Sequence, residues 1–311
     1  MEKLQIKNFA GLKDVTIEVK PITGFIGPQA SGKSVIAKLL YFFREISSRL
    51  PKAMTEDMND AEYQTLCRDR FIRYFPVGNT GHPNFDITYW SGNEKVSVIF
   101  KAGSAPGSET LSLEWSGFFP MAIEKLARLI QHDMANLRAV DNDALDEARQ
   151  RWGEEYDKLA RNNVGRWSTY DQIFIPAGRA FFTQFHATAF SRLEAGDSLD
   201  PFMVAFGSLL ARNTLFLETF GFFGALAPSH LKSGKLNEMR QSELKNILRA
   251  EIFRLDREDY LRFEDGRRVK LSQASSGQQE VLPLLLLLAQ FLIFRHERGR
   301  AVYHYHPVKT H

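Results

Sequence analysis

The chain has 311 residues, 44% of them hydrophobic and 25% charged, with 40 basic residues against 37 acidic ones for a formal charge of +3. This is the composition of an ordinary soluble globular protein, long enough for a large core and for two lobes, and its weak basic excess neither requires nor excludes a nucleic-acid partner. The lone cysteine, Cys67, excludes an internal disulfide, fits a reducing cytosol, and reads as a small buried hydrophobe rather than a reactive thiol.

The N-terminal Met1-Glu2-Lys3-Leu4-Gln5-Ile6 lacks the apolar stretch of a signal peptide. Leu4 to Phe9 alternates, Gly11 breaks the run, and Val15 to Val19 alternates again, which predicts a hairpin with one buried face. The apolar Ile22 to Ile26 is expected to be a buried strand. It leads into Gly27-Pro28-Gln29-Ala30-Ser31-Gly32-Lys33-Ser34, which satisfies every fixed position of the G-x-x-x-x-G-K-[ST] phosphate loop. Val35 to Phe42 leaves the loop with helical spacing, to about Leu50. Glycines let such a loop curl so that its N–H groups point at phosphates, and the helix start adds positive potential. Lys33 would reach the β- and γ-phosphates of ATP, and the Ser34 hydroxyl would ligate Mg²⁺.

Pro51 and the acidic stretch to about Asp60 mark the first expected boundary. An antiparallel meander follows at Phe85 to Trp90, Val96 to Phe100 and Leu111 to Trp115. From Pro120 to about Asn162 the pattern predicts one or two solvent-exposed helices. Gln172 to Pro176 reads as a short strand, Ala177 to about Ala227 as a Phe-rich helical region, and Lys235 to Arg249 as a polar helix. The aromatic clusters at Phe181-Phe182, Phe216, Phe220 and Phe222-Phe223 read as core rather than a base-stacking platform. Strands at Ile252 to Leu255, Tyr260 to Phe263 and Val269 to Leu271 come next, the last two joined by a Glu264-Asp265-Gly266 turn. Val281 to Phe294, with five consecutive leucines, is too short to span a bilayer and reads as a buried helix kinked by Pro283.

Before that helix stands Ser275-Ser276-Gly277-Gln278-Gln279, about 240 residues after the phosphate loop. It resembles the signature motif of ABC-type ATPases, and the long gap resembles the SMC/RecF/OLD-like branch, AAA-family ATPases of the kind found in bacterial DNA repair and anti-phage defence. The opening Leu4-Gln5-Ile6-Lys7-Asn8-Phe9 with Leu12 is similar to the start of those proteins, and Ile173-Phe174-Ile175-Pro176-Ala177-Gly178-Arg179 to their I-P-A-x-R segment. The resemblance implies an α/β, mixed α+β fold: an ABC-type P-loop NTPase head with an antiparallel β subdomain and an inserted helical lobe. It implies an ATPase lobe at 1–118, a helical insertion at 119–250 and a signature hairpin and helix at 251–311. Ser275, Ser276, Gly277 and Gln278 would then face ATP·Mg²⁺ bound by a second copy, making a homodimer or higher oligomer through an ATP sandwich. Arg179 would sit near the nucleotide or transmit its state, and either Gln172 or Gln184 would be the Q-loop residue.

The resemblance departs at the end of the chain. After Ala301-Val302-Tyr303, where a Walker B strand is expected, Tyr305 and His306 stand in place of its two acids. A frameshifted or truncated gene, a cut chain and a natural degenerate ATPase all fit this, and each predicts slow or absent hydrolysis, with catalytic residues unknown. Of His296, His304, His306 and His311, the pair His304 and His306 shares a strand face with no carboxylate nearby, and the four make a poor metal site. The expected protein is cytoplasmic, without membrane contact, and works with a separate effector, a nuclease or a toxin. A hydrolysis-deficient nucleotide-sensing scaffold is one alternative. A DNA-binding clamp is another, with contacts among Arg68, Arg70, Arg73, Arg267, Arg268 and Lys270.

Overall fold

The computed structural model describes residues 1–76, 84–103, 110–137, 142–170, 172–183, 200–220, 245–255 and 258–297. They belong to two compact units that divide between Ile173 and Phe174. The fold is of the mixed α/β class, and every described strand ladder is antiparallel.

The first unit is built on a five-stranded sheet. Strands β1 (Glu2–Phe9), β2 (Leu12–Val19), β3 (Asn84–Ser91), β4 (Glu94–Lys101) and β5 (Thr110–Trp115) lie in the order β2-β1-β3-β4-β5. Period-2 alternation sets the register: Leu4 faces Ile17 and Tyr89 across its two neighbours, and Ile6 faces Val15 and Ile87. The hairpin between β1 and β2 closes through Ala10 and Gly11, both with positive φ, while Phe9 pairs with Leu12.

The inner face of this sheet carries helix α1 (Lys33–Thr55), whose Leu39, Phe42, Phe43, Ile46 and Leu50 are buried. Phe43 stacks on Tyr89 with centroids 5.4 Å apart, and Phe42 meets Phe71 edge-on at 5.2 Å. Two buried carboxylates fix the helix further. Glu2 accepts hydrogen bonds from Arg44 Nε and Nη2 at 2.6 and 2.7 Å and from the Tyr89 hydroxyl at 2.6 Å. Glu45 accepts from the hydroxyls of Tyr41 and Tyr74 at 2.9 and 3.0 Å and pairs with Arg49. Buried charges survive only when every lone pair is so occupied.

Helix α2 (Asp60–Tyr74) adds Tyr63, Cys67 and Phe71 to the same core. Helices α3 (Phe118–Asn136) and α4 (Asn142–Asn163) fill the region expected to be helical, but as amphipathic layers rather than solvated insertions. Phe118, Phe119, Ala122, Leu126, Ala148, Trp152 and Tyr156 are buried, and the Tyr156 hydroxyl donates to the Ser47 carbonyl at 2.6 Å.

The sequence-based expectations need correction at three places in this unit. Ile22 to Ile26 pairs in no ladder among the described residues, and Ile22 and Ile26 are fully exposed. An apolar run becomes a strand only where another strand pairs with it, and among the described residues β2 is the edge of the sheet. Pro51 does not end α1 but lies within its last two turns. Gln172 to Pro176, which begins in this unit and continues into the second, likewise pairs in no ladder among the described residues.

The second unit contains a short 3-10 turn (Arg179–Thr183), helix α5 (Pro201–Phe220), a helical turn at 245–248, and strands β6 (Glu251–Leu255), β7 (Glu258–Arg262) and β8 (Arg268–Lys270). A 3-10 turn (Leu271–Gln273) then feeds helix α6 (Ser276–Glu297). Phe182 packs with Phe206, Leu210 and Leu287, as the core reading of that aromatic expected. Leu248, Ala250, Leu261, Leu271 and Leu282 form a second cluster beneath the three strands. The other named aromatics, Gln184, and the stretch from Ala301 to His311 lie outside the described residues or side chains.

A phosphate loop and a signature turn

The phosphate loop is formed by two local devices. At Gly32 φ is +86°, a conformation costly for any residue with a Cβ, and a Cβ placed there would lie 2.7 Å from Leu12 Cδ2. The hairpin that begins the sheet thus lays Leu12 against the glycine, and that side chain would have to shift to admit a Cβ. Ala30 also has positive φ, 62°, so the loop curls twice before α1 starts.

Gly32 caps α1 without any side-chain acceptor, and the first helical turn contains no acid. Ile36 N–H donates to the Gly32 carbonyl at 3.0 Å, leaving the N–H groups of Lys33, Ser34 and Val35 as the unsatisfied donors of the helix start. An uncapped, acid-free helix N-terminus presents positive potential to an anion. The Lys33 ammonium lies over the same loop. It donates to the Gly27 carbonyl at 2.8 Å, to the Ser31 hydroxyl at 3.1 Å and to the Pro28 carbonyl. Gln29, Ser31 and Ser34 are exposed, so Gly27 to Ser34 form one accessible surface.

The signature turn belongs to the second unit. Here the structure separates residues that the motif groups together. Ser275 is the cap of α6: its hydroxyl donates to Gln278 Oε1 at 2.9 Å and accepts from the Gln278 N–H at 3.4 Å, while its own N–H meets Gln278 Oε1 at 3.3 Å. Gln278 also donates to the Leu248 carbonyl at 2.8 Å, and Gln279 to the carbonyls of Leu271 and Ser272 at 3.2 and 2.9 Å. Ser276 and Gly277 are exposed, and a Cβ added at Gly277 would meet nothing within 4 Å.

Arg179 is engaged within its own unit. Its guanidinium donates to the carbonyls of Glu280 and Pro176, both at 2.9 Å. Sequence reasoning passed over Glu280, which directly follows the motif, because a lone acid in a helix carries no chemical pattern. Gln172 donates to the Tyr170 carbonyl at 2.8 Å. Among the arginines offered for DNA, Arg70 turns inward with Nη1 buried, Arg68 pairs with Asp69, and Arg267 pairs with Asp265 at 2.6 Å while lying over Phe263. Arg268 lies over Phe253. The described residues contain no cluster of His, Cys, Asp or Glu able to hold a metal, and no described helix is long and apolar enough to cross a membrane.

Residues 1–108 match the family model of the AAA ATPase domain, a span from β1 through the phosphate loop and α1 to β4. No curated protein matches the chain. The match supports an AAA-family ATPase domain over that part of the chain.

Proposed function

We propose that this protein binds ATP·Mg²⁺ at Gly27 to Ser34 and acts as an ABC-type, nucleotide-gated dimer controlling a separate effector, a nuclease or toxin, in defence or repair. The observation that carries the nucleotide reading is the pairing of Gly32, locked in a left-handed conformation under Leu12, with an acid-free helix start and Lys33. These residues fit a polyphosphate: the loop and α1 supply N–H donors, Lys33 a cation and Ser34 a hydroxyl for Mg²⁺. When bound, ATP supplies a γ-phosphoryl group that water can accept. Lys33 has to leave its three oxygens on the loop to meet the phosphates, and it exchanges neutral acceptors for charged ones in doing so.

The dimer reading is supported by Ser276 and Gly277, a hydroxyl and a bare backbone that the chain itself leaves exposed at a helix start. The effector reading rests on the resemblance of the two motifs and their spacing. Titration calorimetry with ATP and Mg²⁺ tests the first step. Wild type should bind, and Lys33→Ala should weaken binding at least a hundredfold, as expected for losing a charge-assisted contact to phosphate of about 3 kcal/mol. Equal affinities would end the proposal.

A further inference from the structure

We infer that Glu280 is a positioning residue that aims Ser276 and Gly277, and that Arg179 is the clamp through which it does so. This rests on the reading of Ser276 and Gly277 as the contact surface for nucleotide on a second copy. Glu280 stands one helical turn beyond both residues, on α6. Its carboxylate accepts the backbone N–H of Ala180 at 3.1 Å on one oxygen and, at 3.1 Å on the other, that of Arg179, which it shares with the Ala177 carbonyl at 2.7 Å. The Arg179 Nη2 lies 3.5 Å from the same carboxylate. In return, Arg179 Nε donates to the Glu280 carbonyl and Nη1 to the Pro176 carbonyl. One side chain therefore holds a turn by its two N–H groups, while the turn's own arginine holds that residue's backbone. Both side chains are largely shielded, at 23% and 32% exposure, where such charge-assisted bonds are strongest.

The position explains why a clamp is needed. Pro283 lies inside α6 and has no N–H, so the Gln279 carbonyl loses its helical donor and the proline ring crowds this turn. The helix start that carries Ser276 and Gly277 is therefore weakly tied to the rest of α6. It is held from outside instead: Gln278 to Leu248, Gln279 to Leu271 and Ser272, and Glu280 to Arg179 and Ala180. Of these ties only the last is ionic and reciprocal, and it reaches the I-P-A-x-R turn.

The test compares Glu280→Gln, Arg179→Ala and Arg179→Lys with wild type, in the full chain. Leu210→Ala, a core change in the other cluster of the same unit, controls for plain destabilisation. ATP affinity of Glu280→Gln by calorimetry should stay within twofold, because Glu280 is not one of the phosphate-loop residues. Amide hydrogen exchange at 276–279 should rise about tenfold in Glu280→Gln and Arg179→Ala, but not in Leu210→Ala. Sedimentation velocity should show ATP-dependent association weakened about tenfold in the same two variants, with Arg179→Lys intermediate and the double variant no worse than either single one. Unchanged exchange at 276–279 in both variants would overturn the clamp. So would faster exchange with undiminished association. If wild type fails to associate with ATP, the dimer reading falls, and exchange alone still decides whether Glu280 positions the turn.

Discussion

Gly32 and Gly277 occupy fixed places in the two motifs, yet the chain needs them for opposite reasons. Gly32 is required from within, by a φ of +86° and by Leu12 against its face. Gly277 is required by nothing in its own unit, since its φ is ordinary and a Cβ there meets open space. Gly32→Ala is expected to destabilise the first unit by about 2 kcal/mol or more, from left-handed strain and the clash with Leu12. ATP affinity should fall with it. Gly277→Ala should leave the unfolding curve within about 0.5 kcal/mol of wild type, because alanine suits a helix better than glycine. ATP-dependent association should nevertheless drop. Thermal unfolding and sedimentation of the two variants side by side separate the cases, and association unimpaired by Gly277→Ala would count against a closely apposed second copy. At this scale the sequence names Gly32, Lys33 and Ser34 through a local motif, but not Leu12, which the β1–β2 hairpin brings against the glycine. The signature was legible only as a motif. That Ser275 and Gln278 cap the helix while Ser276 and Gly277 remain exposed depends on Leu248, nearly thirty residues away.

Elements were legible where their signals are internal and illegible where a partner decides. Strands β1 to β5 follow from alternation, because each has one face on the core. Ile22 to Ile26 has equal strand character and forms no ladder, since pairing is supplied from elsewhere or not at all. Helix α2 went unread because its charged surface masks a narrow apolar side of Tyr63, Cys67 and Phe71. Its start does carry a signal in Asn59-Asp60-Ala61-Glu62, a capping box in which Glu62 N–H donates to Asn59 Oδ1 at 3.1 Å and Asn59 N–H to Glu62 Oε2 at 2.9 Å. Asn59→Ala should therefore cost about 1 kcal/mol in urea unfolding, and Asn59→Asp should be close to neutral. A loss in Asn59→Asp as large as in Asn59→Ala would mean that the cap does not govern this helix.

Across the molecule, the first unit concentrates hydroxyls and a thiol where water does not reach, and this gives it a direction of pH sensitivity. Tyr41, Tyr63, Tyr74, Tyr89 and Tyr156, five of the nine tyrosines, are buried there, together with Cys67. Burial raises the pKa of each above its ordinary value, Cys67 from 9.0 to about 11 and Tyr74 from 10.0 to about 12, while Tyr41, Tyr63, Tyr89 and Tyr156 move further up. Neighbouring Glu45 adds to the shift at Tyr41 and Tyr74, and Glu2 to that at Tyr89. The sign follows from which state holds the protons. Below pH 9 both states keep them, and the stability is fully present. As pH rises past the unfolded values of 9.0 and 10.0, the unfolded chain releases protons that the native chain retains, so native stability falls. Each group contributes roughly 1.4 kcal/mol per pH unit, and several acting together exceed the margin of an ordinary domain. The thermal midpoint should thus be level from pH 7 to about 9 and decline steeply above 10. Tyrosinate absorbance of the five buried phenols should rise only as near-ultraviolet circular dichroism is lost. Reversible ionisation of all tyrosines near pH 10 with that signal intact would show that these hydroxyls are open to water, and the packing of α1 against Tyr89 and Tyr156 would have to be redrawn.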